Sequence, residues 1–153
     1  MTEVSGSSLL CRLRRGVLCA LPLEYVGETM RPLPVTRIAG APTFVQGLAV
    51  VRGVPTAVVD AAVLLSGQPS RPTRFVTVKT GGRCVVLAVD AVIGVVETPA
   101  ADVEALPPLY QKRGSDAFTA IGTFDEELLL VLRSSRLMTD DVWATIQAAG
   151  RDR

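Results

Sequence analysis

One charged arginine stands between two Val-rich runs in the stretch Phe44 to Asp60 of this 153-residue chain. Arg52 is followed by Gly53, and a tight turn between two strands needs such a permissive glycine. The guanidinium of Arg52 can pair with a carboxylate or contact a partner, whereas a residue required only by the turn could be Asn or Asp. From the residues alone, recognition and a solvated turn residue are equally favoured interpretations.

Little else in the chain is suited to catalysis. The sequence contains no histidine, which removes the commonest general base, the usual partner of a Ser or Cys nucleophile and the commonest zinc ligand. Cys11, Cys19 and Cys84 lack the paired spacing of zinc or dithiol sites, so we interpret them as small core residues. We therefore predict a protein that is not an enzyme and that uses no cofactor or metal.

Two polar patterns are better explained by turns than by ligand binding. Gly81-Gly82 lacks the Lys-Ser or Lys-Thr that follows in a phosphate-binding loop, and it lies between two apolar runs. The acidic run Asp125 to Glu127 could bind a cation, but its place just before an apolar strand favours a solvated hairpin turn.

Composition predicts a globular protein. Hydrophobic residues make up 48% of the chain and charged residues 20%, and the net charge of +1 provides no electrostatic footprint for nucleic acid. No apolar run approaches the roughly 18 to 20 residues that span a bilayer. The polar segment Thr2 to Ser8 does not have the pattern of a signal peptide, so we expect a cytoplasmic protein without membrane insertion.

Short strands dominate the predicted elements. Hairpins are indicated at Arg15-Gly16, Arg52-Gly53 and Gly81-Gly82, and one helical turn is expected over Ala61 to Leu65. Short strands at regular spacing, with helices only at connections and at the end, favour small barrels or sandwiches over a parallel sheet. Composition and periodicity by themselves support an all-β fold with a C-terminal helix.

The C-terminal helix has start and stop signals. Thr139 can serve as the N-cap, two aspartates follow in the first turn, and Gly150 is expected to end the helix. The apolar residues that share one face, and that are expected to pack on the barrels, are Val142, Ile146 and Ala149, with Trp143 beside them.

The hairpin from Phe44 to Asp60, together with Val35 to Ala39, resembles the CheW family of bacterial chemotaxis coupling proteins, which has the Arg-Gly step and the Asp at the same spacing. The resemblance runs from about Leu9 to Met138. It implies a single domain over residues 1–153 that contains two packed five-stranded β-barrels, each similar to an SH3 barrel. Residues 9–65 with the C-terminal part are expected in the first barrel and residues 73–124 in the second.

The resemblance also implies binding residues. Glu28 and Arg52 match functional residues of the family, and we expect them to form an ion pair. The positions that match the family's groove for a chemoreceptor tip are Leu23, Val26, Val86, Val92 and Val95, although each alone is more often a core residue. Gln46, Gly47 and Leu109 match segments that contact the kinase; for Gly47 a strand bulge is an equally favoured explanation.

Asp60 and Asp90 each follow an apolar strand, where a carboxylate can accept backbone N–H groups of the next turn, and we interpret both as structural. Three residues depart from the usual family pattern: Pro55, Ala61 and Arg133.

The function implied is a non-enzymatic adaptor that couples chemoreceptors to a CheA-type histidine kinase and is recruited to membrane-associated receptor arrays. Three alternatives stay open at this point. They are an adaptor of another kinase system such as surface motility, a cysteine-dependent enzyme using Cys84 or Cys19, and a barrel that binds a small ligand.

Overall fold

The computed structural model describes residues 6–68, 71–97, 103–105, 118–124, 127–132, 138 and 140–151. Within this part of the chain the backbone is mostly extended. The strands are β1 (Ser7–Arg14), β2 (Val17–Pro22), β3 (Val26–Met30), β4 (Val45–Val51), β5 (Val54–Asp60), β6 (Arg74–Thr80), β7 (Arg83–Val89), β8 (Ala91–Glu97), β9 (Val103–Ala105), β10 (Phe118–Phe124) and β11 (Glu127–Leu132). The helices are a 3₁₀ turn (Leu23–Tyr25), α1 (Ala61–Ser66) and α2 (Asp140–Arg151).

The predicted hairpins are present. β1 pairs with β2, β4 with β5 and β6 with β7, all antiparallel. In the β4–β5 turn, Arg52 and Gly53 have φ values of 49° and 80°. Positive φ at both central residues is the pattern of a type I′ turn, whose twist matches that of the flanking strands. The helical turn predicted after Asp60 is also confirmed, as α1.

The described strands form two sheets. One has six strands in the order β8-β1-β2-β11-β10-β9, and the other has five in the order β3-β6-β7-β5-β4. Two parallel pairs, β2 with β11 and β5 with β7, join distant parts of the chain within the sheets. The prediction of an all-β fold with few helices is confirmed. The assignment of two barrels by residue range stays a prediction.

Successive side chains of a strand point to opposite sides, and the inner strands of each sheet contribute to apolar clusters on both faces. In β1, Leu9, Cys11 and Leu13 lie in a core shared by the two sheets, whereas Leu10 packs in a separate cluster. That smaller cluster contains Leu10, Leu18, Ala20, Leu129 and Val131. The five-stranded sheet has an equivalent second cluster of Ala49, Val58, Phe75, Val86 and Ala88.

Helix α2 packs on the shared core through Val142 and Ile146, as its apolar stripe predicts. Trp143 is half-buried, and the guanidinium carbon of Arg83 lies 4.7 Å from the centroid of its ring. The predicted end of the helix is wrong by one residue, because α2 continues through Gly150 to Arg151. Glycine is tolerated in a helix at a cost of about 1 kcal/mol relative to alanine, so its presence alone does not end one. Thr139 and the side chain of Ala149 lie outside the described part.

Candidate functional site

The ion pair expected between Glu28 and Arg52 is present. Arg52 Nε lies 3.1 and 3.2 Å from the two carboxylate oxygens of Glu28, and Arg52 Nη2 lies 2.6 Å from Oε2. Glu28 belongs to β3, at one edge of the five-stranded sheet, whereas Arg52 lies in the turn that joins β4 and β5 at the other edge. The sheet must therefore curl until its edges meet, and the ion pair bridges them.

The pair is at the protein surface. The Arg52 side chain is 79% exposed and that of Glu28 36% exposed. The hydrogen bond from Arg52 lowers the pKa of Glu28, and the same hydrogen bond raises the pKa of Arg52. Both groups are therefore charged at neutral pH, and the exposed guanidinium is accessible to a partner.

The backbone of Arg52 is unusual for its residue type. Among the described residues other than glycine, only Arg52 has a positive φ. Side chains with a Cβ are disfavoured in this region, where Asn, Asp and Gly are the common choices. The turn geometry alone therefore does not require arginine at this position.

Gly47 is explained by the backbone around it. The register of β4 and β5 shifts between Val45 and Gly47, so a bulge lies at Gln46. Gly47 has φ +148°, and a Cβ at this position would lie 2.0 Å from the carbonyl oxygen of Thr36. The strand-bulge explanation of Gly47 is thus confirmed, while its kinase contact stays a prediction.

Gln46 supports the end of the same hairpin. Its Nε2 donates to Oδ2 of Asp60 at 3.2 Å. Oδ1 of Asp60 accepts from the backbone N–H groups of Ala62 and Val63 at 2.9 and 3.1 Å, which caps α1. The structural role predicted for Asp60 is confirmed.

A cleft of about 560 Å³ opens beside Gln46 and Asp60. Apolar side chains supply much of its wall, and Arg37 and Thr43 add polar groups. The carboxylate of Asp60 is already bound to Gln46 and to α1, so it is not free to hold a ligand.

The apolar residues expected in the receptor groove differ in exposure. Leu23 and Val95 are 40% and 58% exposed. Val26 and Val92 are half-buried and pack against the shared core. Val86 is 0% exposed, because β7 lies between β6 and β5 and both faces of the sheet are covered.

A partner cannot contact Val86 at the surface of this structure, so we leave Val86 out of the proposed binding surface. Leu109 and Arg133 lie outside the described residues.

Register places Val95 close to the 3₁₀ turn that begins at Leu23. Val95 of β8 pairs with Leu9 of β1, which in turn pairs with Leu21 of β2. Leu21 is two residues from Leu23, and the 3₁₀ turn contacts β1. Exposed Ile93, at 48%, adds a further apolar side chain to β8.

The thiols do not form a reactive site. Burial raises the pKa of the Cys11 thiol to about 12, and burial with the neighbouring Cys11 raises the pKa of Cys19 well above its usual range. The prediction that Cys84 is a core residue is wrong, because it lies near the start of β7 beside the turn and is exposed, although partial burial still raises the pKa of its thiol. A catalytic cysteine needs the opposite shift, because the thiolate is the nucleophile. In the described part of the chain no three Cys, Asp or Glu side chains cluster as metal ligands would.

Sequence reasoning missed Thr77, whose hydroxyl contacts the backbone of Glu28. The β-branched residue in an apolar strand carried no signal beyond strand propensity. Among the described helices, none has the length and apolar character needed to cross a membrane.

The model of one protein family, described as the CheW-like domain, matches residues 7–142. The chain belongs to the CheW-like domain family. A curated relative, the chemotaxis protein CheW of Klebsiella aerogenes, is 26% identical over 115 residues, which cover 73% of this chain and 69% of the relative. The crystal structure of the scaffolding protein TtCheW from Thermoanaerobacter tengcongensis is similar with a TM-score of 0.69 and 23% identity, over 85% of this chain and 90% of that one.

Membership of the CheW-like family agrees with the resemblance predicted from about Leu9 to Met138, and the match covers nearly the same residues. The similarity to TtCheW supports the all-β architecture described above.

Proposed function

We propose that this CheW-like protein is a non-enzymatic adaptor that couples chemoreceptors to a CheA-type histidine kinase. The observation that carries the proposal is the exposed Arg52–Glu28 ion pair, which lies on the hairpin that resembles the family's. The raised thiol pKa values and the sequence without histidine support a role in binding rather than catalysis.

The receptor-binding surface consists of the ion pair and the exposed apolar side chains near the 3₁₀ turn. Leu23 and Val95 are the exposed anchors, and Val26 and Val92 are half-buried residues of β3 and β8. A groove with exposed apolar residues is a common way to bind an amphipathic helix, such as the tip of a receptor's helical hairpin.

The kinase-binding surface includes the β4 bulge. Half-buried Gln46 lies at this bulge, and buried Gly47 acts there only through the backbone conformation that it allows. The family resemblance adds Leu109. The regulatory domain of the kinase is the partner, and the adaptor is held in the cytoplasm at membrane-associated receptor arrays.

The mechanism is geometric. An adaptor that binds receptor and kinase together transmits a conformational bias of one to the other, and such coupling free energies are typically about 1 to 3 kcal/mol. No covalent step by the adaptor is required.

Substitution of Arg52 tests the proposal. We expect Arg52→Glu to weaken co-sedimentation with receptor cytoplasmic fragments and the kinase regulatory domain, because it reverses an exposed charge and repels Glu28. The melting temperature is expected to change by only a few degrees, since the side chain is exposed. Arg15→Glu is the matched control, because Arg15 is an exposed residue before a glycine in the turn between β1 and β2.

A charge swap separates partner contact from ion pairing. The double variant Glu28→Arg with Arg52→Glu can restore a pair of opposite charges at the same place. If Arg52 contacts the partner, the swapped protein still binds poorly. Full recovery of the complex would show that the pair acts only within the adaptor, and full assembly with Arg52→Glu alone would overturn the role of Arg52. A wild-type protein that binds neither partner would overturn the adaptor function itself.

A further inference from the structure

Strand β3 contains a bulge at the residue that forms the ion pair. The register with β6 shifts by one residue between Val26 and Thr29, so Gly27 and Glu28 together oppose Thr77. Two residues opposite one bend a strand and redirect its side chains. The bulge thus determines the direction in which Glu28 leaves the strand.

The Thr77 side chain holds this bulge. Its Oγ1 accepts a hydrogen bond from the backbone N–H of Glu28 at 2.8 Å, and the hydroxyl lies 3.4 Å from the backbone carbonyl oxygen of Glu28. Thr77 is 6% exposed, so water has little access to replace these contacts. The Thr77 hydroxyl thus replaces the backbone carbonyl that would otherwise accept from the N–H of Glu28 in regular β3–β6 pairing.

Gly27 provides the space for that hydroxyl. A Cβ at position 27 would lie 2.4 Å from Thr77 Oγ1. A larger residue would push the hydroxyl away from the N–H of Glu28. Gly27 and Thr77 therefore act on Glu28 together, from β3 and β6.

We propose that Thr77 is a positioning residue for the partner-binding ion pair: its hydroxyl holds the β3 bulge so that the Glu28 carboxylate meets Arg52 in the observed geometry. The importance of this positioning for binding rests on the proposed adaptor function, whereas its effect on the ion pair does not. Arg52 lies on the opposite edge of the curled sheet, so a small change in the direction of Glu28 separates the two groups.

The test compares Thr77→Val, which removes the hydroxyl at nearly constant volume, with Thr77→Ser, which keeps it. The readout is the pKa of the Glu28 carboxyl, measured by NMR titration. If Thr77 contributed only to stability, this pKa would not change in a folded variant. We expect the pKa of Glu28 to rise toward that of an ordinary glutamate in Thr77→Val and to stay low in Thr77→Ser. Binding to receptor fragments is expected to weaken on the order of fivefold in Thr77→Val, as for loss of one hydrogen bond, and to recover in Thr77→Ser.

Thr80→Val is the matched control, because Thr80 is a buried threonine of the same strand, whereas the described side-chain bonds to the backbone of Glu28 come from Thr77. It is expected to leave the Glu28 titration unchanged. Gly27→Ala perturbs the same contact from β3 and provides a second variant if Thr77→Val does not fold.

The titration and the binding measurement test different parts of the proposal. An unchanged Glu28 titration in folded Thr77→Val or Gly27→Ala overturns the positioning role, whatever the binding result. A shifted titration with undiminished receptor binding leaves the positioning role intact and contradicts the use of the ion pair in the adaptor.

Discussion

Arg52 combines an exposed guanidinium with a backbone conformation that disfavours a side chain. Its φ of 49° belongs to a turn in which Asn or Gly would serve the backbone better. The side chain bonds Glu28 through Nε and Nη2. Within the described part of the chain no hydrogen bond involves Nη1, which is therefore available to a partner. The turn requires only a residue that tolerates positive φ, so the guanidinium of Arg52 is better explained by recognition.

The charge of Glu28 should persist to unusually low pH. The folded state lowers the pKa of this carboxyl, so the stabilisation from the ion pair is present above the pKa of the unfolded chain and is lost as the pH falls through the folded-state pKa. We expect Arg52→Gln to raise the pKa of Glu28, as measured by NMR of its side-chain carboxyl. Glu28→Gln assigns the signal, and an unchanged titration in Arg52→Gln would contradict the ion pair in solution.

At the scale of elements, two bulges shape the candidate surface. One lies in β3 at Glu28 and the other in β4 at Gln46, and each requires a neighbouring glycine where another strand or loop comes close. Bulges bend a strand and re-aim its side chains, and they are common next to functional sites. Glu28 and Gln46, both proposed binding residues, thus leave their strands where the pairing is interrupted.

Gly47→Ala should be strongly destabilising. The new Cβ would clash with the carbonyl oxygen of Thr36, whose backbone exchanges two 2.8 Å hydrogen bonds with Leu48, and the φ value of Gly47 is itself unfavourable for alanine. We expect a loss of about 1 to 3 kcal/mol in the free energy of unfolding, measured with urea.

Gly94→Ala is the control, because Gly94 has a similar φ of +152° but a Cβ there meets nothing within 4 Å. We expect the control to lose less free energy of unfolding than Gly47→Ala, and the difference measures the clash with Thr36 apart from the conformational strain. Equal losses in the two variants would show that the close approach to Thr36 contributes nothing.

At the scale of the whole molecule, the shared core unites parts of the chain that are far apart in sequence. It contains Leu9 from the first strand, Val59 and Leu87 from the other sheet, and Ile146 from the last helix. A core of this kind makes the two sheets one cooperative unit. Surfaces on both sheets are then held in a constant relation, as an adaptor requires.

The thiols report on the integrity of that core. Cys11 and Cys19 are fully buried on paired strands and are the reporters of the core, whereas Cys84 is exposed and is slowed only by its raised pKa. We expect the native protein to react slowly with a thiol reagent, with Cys11 and Cys19 reacting only as it unfolds. In denaturant all three cysteines should react. One rapidly reacting thiol in the native protein would instead support the cysteine-dependent enzyme that the sequence left open.

Local signals in the sequence were sufficient for much of the fold. Gly16, Gly53 and the pair Gly81-Gly82 marked hairpins because tight turns need residues that tolerate positive φ. Asp60 marked the start of α1 because a carboxylate can satisfy the free N–H groups of a helix. The identity of the ion-pair residues came from the resemblance of the hairpin to a family, since no local pattern relates Glu28 to Arg52.

The sequence by itself determined most strands, the hairpin turns and the family, because alternation and turn chemistry act over a few residues. Strands β3 and β9 were not predicted. Only the tertiary structure decided that Val86 is buried and Val95 exposed, since this depends on which strands lie inside a sheet and which at an edge. It also decided that Thr77 holds Glu28 and that Gly47 faces Thr36. Those contacts depend on long-range strand register, which is set by packing between segments distant in the chain.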